Sequence, residues 1–433
     1  MEISELYSIF RQHPVVTTDS RDCPEGSIFF ALKGTSFNGN AFAEKALDAG
    51  CAFAVIDEKE YAKEGDGRFI LVDDCLKTLQ RLANCHRRRL GTRIIGITGT
   101  NGKTTTKELV ATVLQKKYNV LYTQGNFNND IGVPKTLLRL KPEHEIAVVE
   151  MGASHPGDIK TLVDIVEPDY GIITNVGKAH LQGFGSFEGV IRTKGELYDF
   201  LRANNKTAFI HNENEHLCGI AGGLQLVRYG TSVEDPSLAV TGEVASCDPF
   251  LKFRWKKQGG DWHEVQTQLI GAYNVYNMLA AACIADHFGV GENDICDALR
   301  SYTPTNNRSQ LEVTPSNKLI VDTYNANPTS MKAALENFTM IQTENKMAIL
   351  GDMRELGDAS LEEHQKVVDF LVKNNISNVW LVGEEFGKTT CPFRKFHDVE
   401  EVKAEIAANK PTGLYILIKG SNGIKLFQLP GLL

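Results

Sequence analysis

Short runs of β-branched and aliphatic residues recur along this chain. Between them lie stretches in which apolar positions return every three or four residues. Runs at residues 93–98, 146–150, 170–175 and 207–211 read as buried strands. Residues 104–115, 157–165, 187–200 and 274–288 carry the helical period between and after them. This alternation predicts a parallel sheet flanked by helices. A smaller version precedes it, with strand-like segments at 27–32, 52–56 and 69–72 and a helix over 41–49. A helix over 76–88 then leads into residues 90–92, which read as a hinge. Residues 226–269 read as short β elements joined by turns. From residue 310 the pattern begins again, with strands at 318–322, 346–350, 378–382 and 414–418 and helices over 330–339 and 361–373. The expected fold class is therefore α/β in three domains, 1–88, 89–309 and 310–433. The central domain should hold a phosphate-loop parallel sheet, and the last should be Rossmann-like without a phosphate loop of its own.

Length agrees, since 433 residues exceed one typical domain. A net charge of -8 gives no general electrostatic case for nucleic acid. The run Arg87-Arg88-Arg89 reads as a solvated helix end. The nine cysteines are scattered without a close CxxC pair, which favours buried reduced thiols over a disulfide framework or zinc site. Residues 1–6 lack the basic flank and apolar core of a signal peptide, and no run reaches the roughly 18 apolar residues of a membrane span. A cytoplasmic protein without membrane insertion is expected.

The strongest local chemistry lies at residues 96–105, GITGTNGKTT. It follows a β-branched strand and opens a helix, as a phosphate cradle requires. Small residues turn backbone amides toward oxygens, the helix start favours anions, and Lys103 adds a mobile cation. The Thr104 hydroxyl suits Mg²⁺. The strict GxxxxGK[ST] pattern is not met, because Ile97 stands where its first glycine would be. Glu150 ends an apolar strand at the sheet edge where such folds bind ligands. A strand-end glutamate is commonly a cap, but beside a phosphate loop the metal role is favoured.

The departure at Ile97 is informative. TGTNGKTTT (98–106) resembles the Mur ligase family and its folate-polyglutamate relatives. GNFNNDIGVP (125–134), EMGAS (150–154), TNVGKAH (174–180) and YNANP (324–328) are similar to the members that use D-alanyl-D-alanine. The resemblance runs along essentially the whole chain in the family's order. It implies a three-domain ATP-dependent amide ligase that adds D-alanyl-D-alanine to UDP-N-acetylmuramoyl-tripeptide through an acyl phosphate, with ATP and Mg²⁺, as a monomer. Lys103, Glu150, His180 and Lys194 would be catalytic. Gly99, Thr100, Asn101, Gly102, Lys103, Thr104, Thr105, Asn274, Arg308 and Asp322 would bind the nucleotide. Thr104, Glu150 and His180 would hold metal, and Lys194 would carry a carbamate that turns a cation into an anion. Ser20, Arg21 and Lys33 would hold the UDP-sugar end, although a turn-and-cap cluster explains residues 19–20 equally well. Asn126 and Asn129 would meet the acceptor, and Tyr324, Asn325 and Asn327 the dipeptide. Three positions depart from the family pattern: Tyr273 replaces a common His, Val321 a common Asp and Asn422 a common Arg. The alternatives are another amino-acid-adding Mur ligase, a folate polyglutamate ligase, or a non-catalytic ATP-binding regulatory homologue.

Overall fold

The computed structural model describes residues 1–304, 308–343 and 345–433. Three sheets, of four, nine and six strands, succeed one another along the chain. The first is wholly parallel, and its strands Ile28–Phe30 and Phe53–Ile56 are buried almost throughout. Helix Cys75–Leu90 follows. Asp74 caps its start by accepting from the Lys77 amide, and Gly91 ends it at φ 68°.

Of the arginines in the last turn of that helix, Arg88 and Arg89 are exposed, as a solvated end would be, while Arg87 is largely covered. Arg87 donates to the Val166 and Glu167 carbonyls at 2.8 and 2.6 Å, Arg88 pairs with Glu167, and Arg89 lies over the Tyr7 ring. These contacts satisfy carbonyls at the C-terminal end of helix Asp158–Val166 and bind the first unit to the second. The triplet thus also serves as a joint between the two units.

In the central sheet the strand order is Val120–Tyr122, Ile146–Glu150, Arg93–Thr98, Tyr170–Ile173, Thr207–His211, Gln225–Gly230, then Leu238–Cys247, Phe250–Lys257 and His263–Ile270. Neighbouring strands pair in parallel up to Leu238–Cys247, and the last three strands form an antiparallel meander. That meander corrects the expectation of short elements over 226–269. Its strands run 10, 8 and 8 residues, because alternating positions such as Leu251, Phe253 and Trp255 all face the core. Helix Asn274–His287 is apolar on nearly every side and is buried between the meander and helix Lys103–Leu114.

The last sheet places Lys318–Asp322 beside Tyr415–Lys419 and then Lys346–Gly351, all parallel. Its two faces feed separate apolar clusters, Ile320 and Leu417 into one, Val321 and Ile418 into the other. Val321 is 1 % exposed in the second cluster, so the side chain that departs from the family pattern serves packing. The nine cysteines are free thiols. Helix Ile3–Gln12, strand Val120–Tyr122 and helix Glu292–Ser301 add to the elements expected. No helix among the described residues is long and apolar enough to cross a membrane.

Candidate active site

Because the central strands are parallel, their carboxyl ends deliver loops to one edge. Strand Arg93–Thr98 lies between Ile146–Glu150 and Tyr170–Ile173, where the chain reverses its direction across the sheet. Such reversals open a crevice at the sheet edge. Residues 99–102 fill it. Gly99 has φ 145°, and a Cβ there would sit 2.0 Å from Thr174 Oγ1. A strap from the neighbouring strand holds the loop: Thr100 N donates to Asn175 O at 2.9 Å, and Thr174 Oγ1 donates to Asn101 O at 2.6 Å. Lys103 folds back so that Nζ donates to Gly99 O at 2.8 Å and Thr100 O at 3.1 Å. Burial, joined by the repulsion of Arg308 and opposed by Glu150, holds its pKa down to about 8.

Glu150 is 1 % exposed. Its Oε1 accepts from Thr104 Oγ1 at 3.2 Å and from Asn128 Nδ2 at 2.8 Å, while Oε2 is buried without a hydrogen bond. Lys107 Nζ lies 3.8 Å from Oε2. A buried carboxylate oxygen left over beside a threonine hydroxyl fits Mg²⁺, which takes one or two carboxylates and completes its octahedron with phosphate oxygens and water. Among the described residues no group of three or more His, Cys, Asp or Glu is arranged to hold a metal. Asn128 and Lys107 were missed as site residues. Asn128 lies inside one of the strings that carried the family resemblance, and Lys107 directly follows another.

His180 lines the same cavity, with left-handed backbone at φ 50° and Nδ1 paired with Glu355 of the C-terminal unit. Lys194 lies behind it, 2 % exposed, with Nζ donating to Ala153 O at 3.4 Å and facing the Phe184 ring. Burial, reinforced by Lys103, pushes its pKa well below the ordinary lysine value.

The C-terminal sheet presents its own carboxyl edge to this crevice. Asp322 ends one strand and Lys419 the next, in register, and Lys419 Nζ donates to Asp322 Oδ2 at 2.6 Å. Arg308 stacks on Tyr324 at 3.9 Å, and its Nε is buried without a hydrogen-bond partner among the described residues. Asn327 caps helix Pro328–Met340 through Ser330 N and also donates from Nδ2 to Asn101 Oδ1 at 2.8 Å. Between the two edges lies a cavity of about 880 Å³. Thr100, Asn101, Gly102, Lys103, Thr105, Glu150, His180, Arg308, Asp322, Tyr324 and Asn325 line it.

Other expected residues are placed differently. Asn274 lines the cavity, but its amide donates to Ile270 O at 2.8 Å and accepts from Asn277 at 2.8 Å. It props Asn277, whose Oδ1 would lie 2.7 Å from a Cβ on Gly102. Asn129 reaches the rim, yet its Oδ1 caps helix Gly132–Leu137. Ser20, Arg21, Lys33 and Asn126 stand outside the cavity's lining. Arg21 is paired with Asp19, and Lys33 with Asp57 and Glu58. Tyr273 bonds Ser309 through its hydroxyl at 2.7 Å, so its ring closes the wall where relatives carry an imidazole. Asn422 is exposed and outside the lining. The sequence also concealed a shelf of His211 and Tyr276, with ring centroids 4.4 Å apart. One comes from a strand end and the other from a helix, and no spacing announces their meeting.

Comparison with known proteins agrees with this geometry. Family models match over residues 14–87 (Mur ligase family, catalytic domain), 97–285 (Mur ligase middle domain) and 307–422 (Mur ligase, glutamate ligase domain). The UDP-N-acetylmuramoyl-tripeptide--D-alanyl-D-alanine ligase of Bacillus subtilis is 34 % identical over 96 % of this chain and 92 % of its own length. That of Haemophilus influenzae is 34 % identical over 95 % and 91 %. Among solved structures, MurF from Acinetobacter baumannii superposes with a TM-score of 0.86 at 30 % identity, covering 96 % of this chain and 92 % of that one. MurF ligase from Thermotoga maritima, in complex with ADP, gives 0.85 at 26 %, covering 96 % of both chains.

Proposed function

The chain belongs to the Mur ligase family, and from that premise we propose that it joins D-alanyl-D-alanine to UDP-N-acetylmuramoyl-tripeptide with hydrolysis of ATP to ADP and phosphate, forming the pentapeptide precursor of peptidoglycan. One observation carries the site assignment: the phosphate loop and the YNANP segment meet at a single cavity, joined by the Asn101–Asn327 amide pair.

The terminal carboxylate of the tripeptide attacks the γ-phosphorus and ADP leaves. The free amine of the dipeptide then attacks the acyl carbon, and phosphate departs. Amides of residues 99–102 and the Lys103 ammonium bear the negative charge that gathers on the transferring group. Thr104 and Glu150 would hold Mg²⁺, which would supply charge neutralisation during phosphoryl transfer. Among the described residues Lys103 Nζ is held by the Gly99 and Thr100 carbonyls and by no ion pair, so turning to a phosphate breaks none there. Asp322, tethered by Lys419, is placed for the ribose side, and Arg308 for the phosphates. His211 and Tyr276 offer a flat face to the base. The amine must be fixed close to the acyl phosphate while water is kept out, a task for docking of the C-terminal unit over the cavity. In the buried pocket around Lys194, the neutral amine would add to CO₂ and release a proton to solvent, and the resulting carbamate would lie within the field of Lys103. The amino-terminal unit, with Ser20, Arg21 and Lys33, holds the UDP-sugar end beyond the reacting centre. The protein works in the cytoplasm as a monomer.

The test is mass-resolved product formation from the tripeptide, the dipeptide, ATP and Mg²⁺, with parallel acceptors that differ at the third residue. A pentapeptide formed with one ADP per amide is expected. Protein that binds ATP yet makes no amide from any acceptor would point instead to the non-catalytic reading.

A further inference from the structure

His180 and Glu355 face each other from different units, and both are non-glycine residues in left-handed backbone, at φ 50° and 64°. Histidine is among the side chains that tolerate this conformation and glutamate is not, so Glu355 is the more constrained of the two. The two meet. The Glu355 carboxylate pairs with His180 Nδ1, and the Glu355 carbonyl accepts from Gln182 N at 3.2 Å. One residue of the C-terminal unit thus grips the His180 turn by side chain and by backbone. Lys178, two residues before, reaches the same unit through Glu363 at 3.1 Å.

His180 Nδ1 is buried and makes no hydrogen bond of regular geometry, and the Glu355 carboxylate is its ion-pair partner; a carboxylate on that side favours the proton on Nδ1 and leaves the lone pair on Nε2. Among the described residues Nε2 has no hydrogen-bond partner, and the ring lines the cavity that contains Lys103 and Glu150. Carboxylate partners of this kind set ring tautomer and orientation toward a bound cation.

We propose that Glu355 is a positioning residue for His180: docking of the C-terminal unit brings its carboxylate to Nδ1 and aims Nε2 at the nucleotide phosphates. Closure and completion of the cation site are then a single event, so an open molecule cannot assemble the site prematurely. This rests on the ligase reading only in its use of Mg²⁺ and ATP. The bland alternative is an interdomain ion pair that merely stabilises. Glu355 is 56 % exposed in its side chain, and pairs so exposed contribute little to stability, so the variants should fold.

The test uses Glu355→Ala, Glu355→Gln, His180→Ala and the double Ala variant. Mn²⁺ binding is read by electron paramagnetic resonance with β,γ-methylene ATP present, and the Mg²⁺ dependence of kcat is read beside the KM for ATP. Glu355→Ala should weaken Mn²⁺ binding and raise the Mg²⁺ requirement by about 10- to 100-fold. The KM for ATP should stay within about twofold, because the phosphate loop is intact. Glu355→Gln should fall between, since its amide oxygen still accepts from Nδ1–H. Adding Glu355→Ala to His180→Ala should cause no further loss. Unchanged Mn²⁺ binding in folded Glu355→Ala would overturn the proposal, as would fully additive losses in the double variant. The Mn²⁺ titration needs no acceptor, so its result stands even if the proposed acceptor fails.

Discussion

Replacing Asn128 with alanine isolates the least expected contact in the site. Its Nδ2 donates to Glu150 Oε1 at 2.8 Å, and its carbonyl accepts from Gly152 N at 2.7 Å. The substitution keeps the backbone bond and deletes the side-chain one. A hydrogen bond to a charged group contributes about 1.5–3 kcal/mol. Glu150 keeps the Thr104 hydroxyl and the nearby Lys107 ammonium but loses one of its two side-chain hydrogen bonds. If that tether sets the carboxylate for the metal and γ-phosphate, kcat/KM should fall about 10- to 150-fold, since each factor of ten is about 1.4 kcal/mol. Asn128→Asp should be worse, because it puts a second carboxylate against the first, and rising Mg²⁺ should relieve part of the defect. The assay is continuous phosphate release at several Mg²⁺ concentrations, with melting temperature as a folding control. Folded Asn128→Ala with unchanged kcat/KM would show that the tether does not orient Glu150 for chemistry, and the reasoning would fall.

Three other perturbations follow from the same geometry. Lys194→Ala should lower ligation about 10- to 100-fold, as loss of groups behind a metal site does, and short carboxylic acids should restore part of it; full activity in the folded variant would remove Lys194 from the mechanism. Gly99→Ala should weaken ATP binding at least about tenfold by calorimetry, because φ 145° and a Cβ 2.0 Å from Thr174 Oγ1 force the loop to move; an unchanged Kd would mean that the loop is not held as described. His86 sits between units, with Nε2 donating to the Leu140 carbonyl at 2.9 Å and Nδ1 accepting from Tyr7, and burial holds its pKa below the ordinary value. The unfolded chain takes up a proton near pH 6.5 that the folded site resists, so stability should fall as pH drops from about 6.5 toward the folded pKa. Denaturant titrations at several pH values should show a shallower acid loss in His86→Gln, and an identical pH profile would exclude His86 as a source of it.

Elements built from long apolar runs were readable because their period is set by burial. Strand Arg93–Thr98 and helix Asn274–His287 are examples, each with nearly every position in the core. The meander was harder, since lysines and arginines such as Lys252 and Arg254 alternate with Leu251 and Phe253, and the turn residues between them shorten the apparent strands. Helix Ile3–Gln12 carries Ile3, Leu6, Tyr7 and Phe10 at helical spacing, but the stripe is confined to ten residues. The phosphate loop was legible because glycine spacing and a following helix are local features. The His180–Glu355 pair was not, because its partners lie far apart in sequence and meet only when two sheets dock. Asn274 shows the opposite limit: a position singled out by resemblance turned out to use its amide inside the protein, supporting Asn277 beneath the loop.

The site owes its form to one rule of parallel sheets applied twice. In the central sheet Ile97 is in register with Glu150, so the glycine-rich loop and the Glu150 carboxylate emerge side by side. In the C-terminal sheet Asp322 is in register with Lys419, so a carboxylate and its buried counter-ion emerge together at the facing edge. Each edge alone is incomplete: the first carries charge-bearing donors for phosphate without a wall, and the second carries polar groups without a phosphate cradle. Asn101–Asn327, Lys178–Glu363 and His180–Glu355 are contacts that join them. Two of these three begin on the loop that contains His180, and the other begins in the phosphate loop itself. An exposed surface pair is worth little, but contacts placed on the reacting loops convert the docking of a whole domain into the orientation of a few atoms. Domain closure and catalytic geometry are therefore encoded by the same side chains, and variants at these joints should alter metal dependence and turnover before they alter stability.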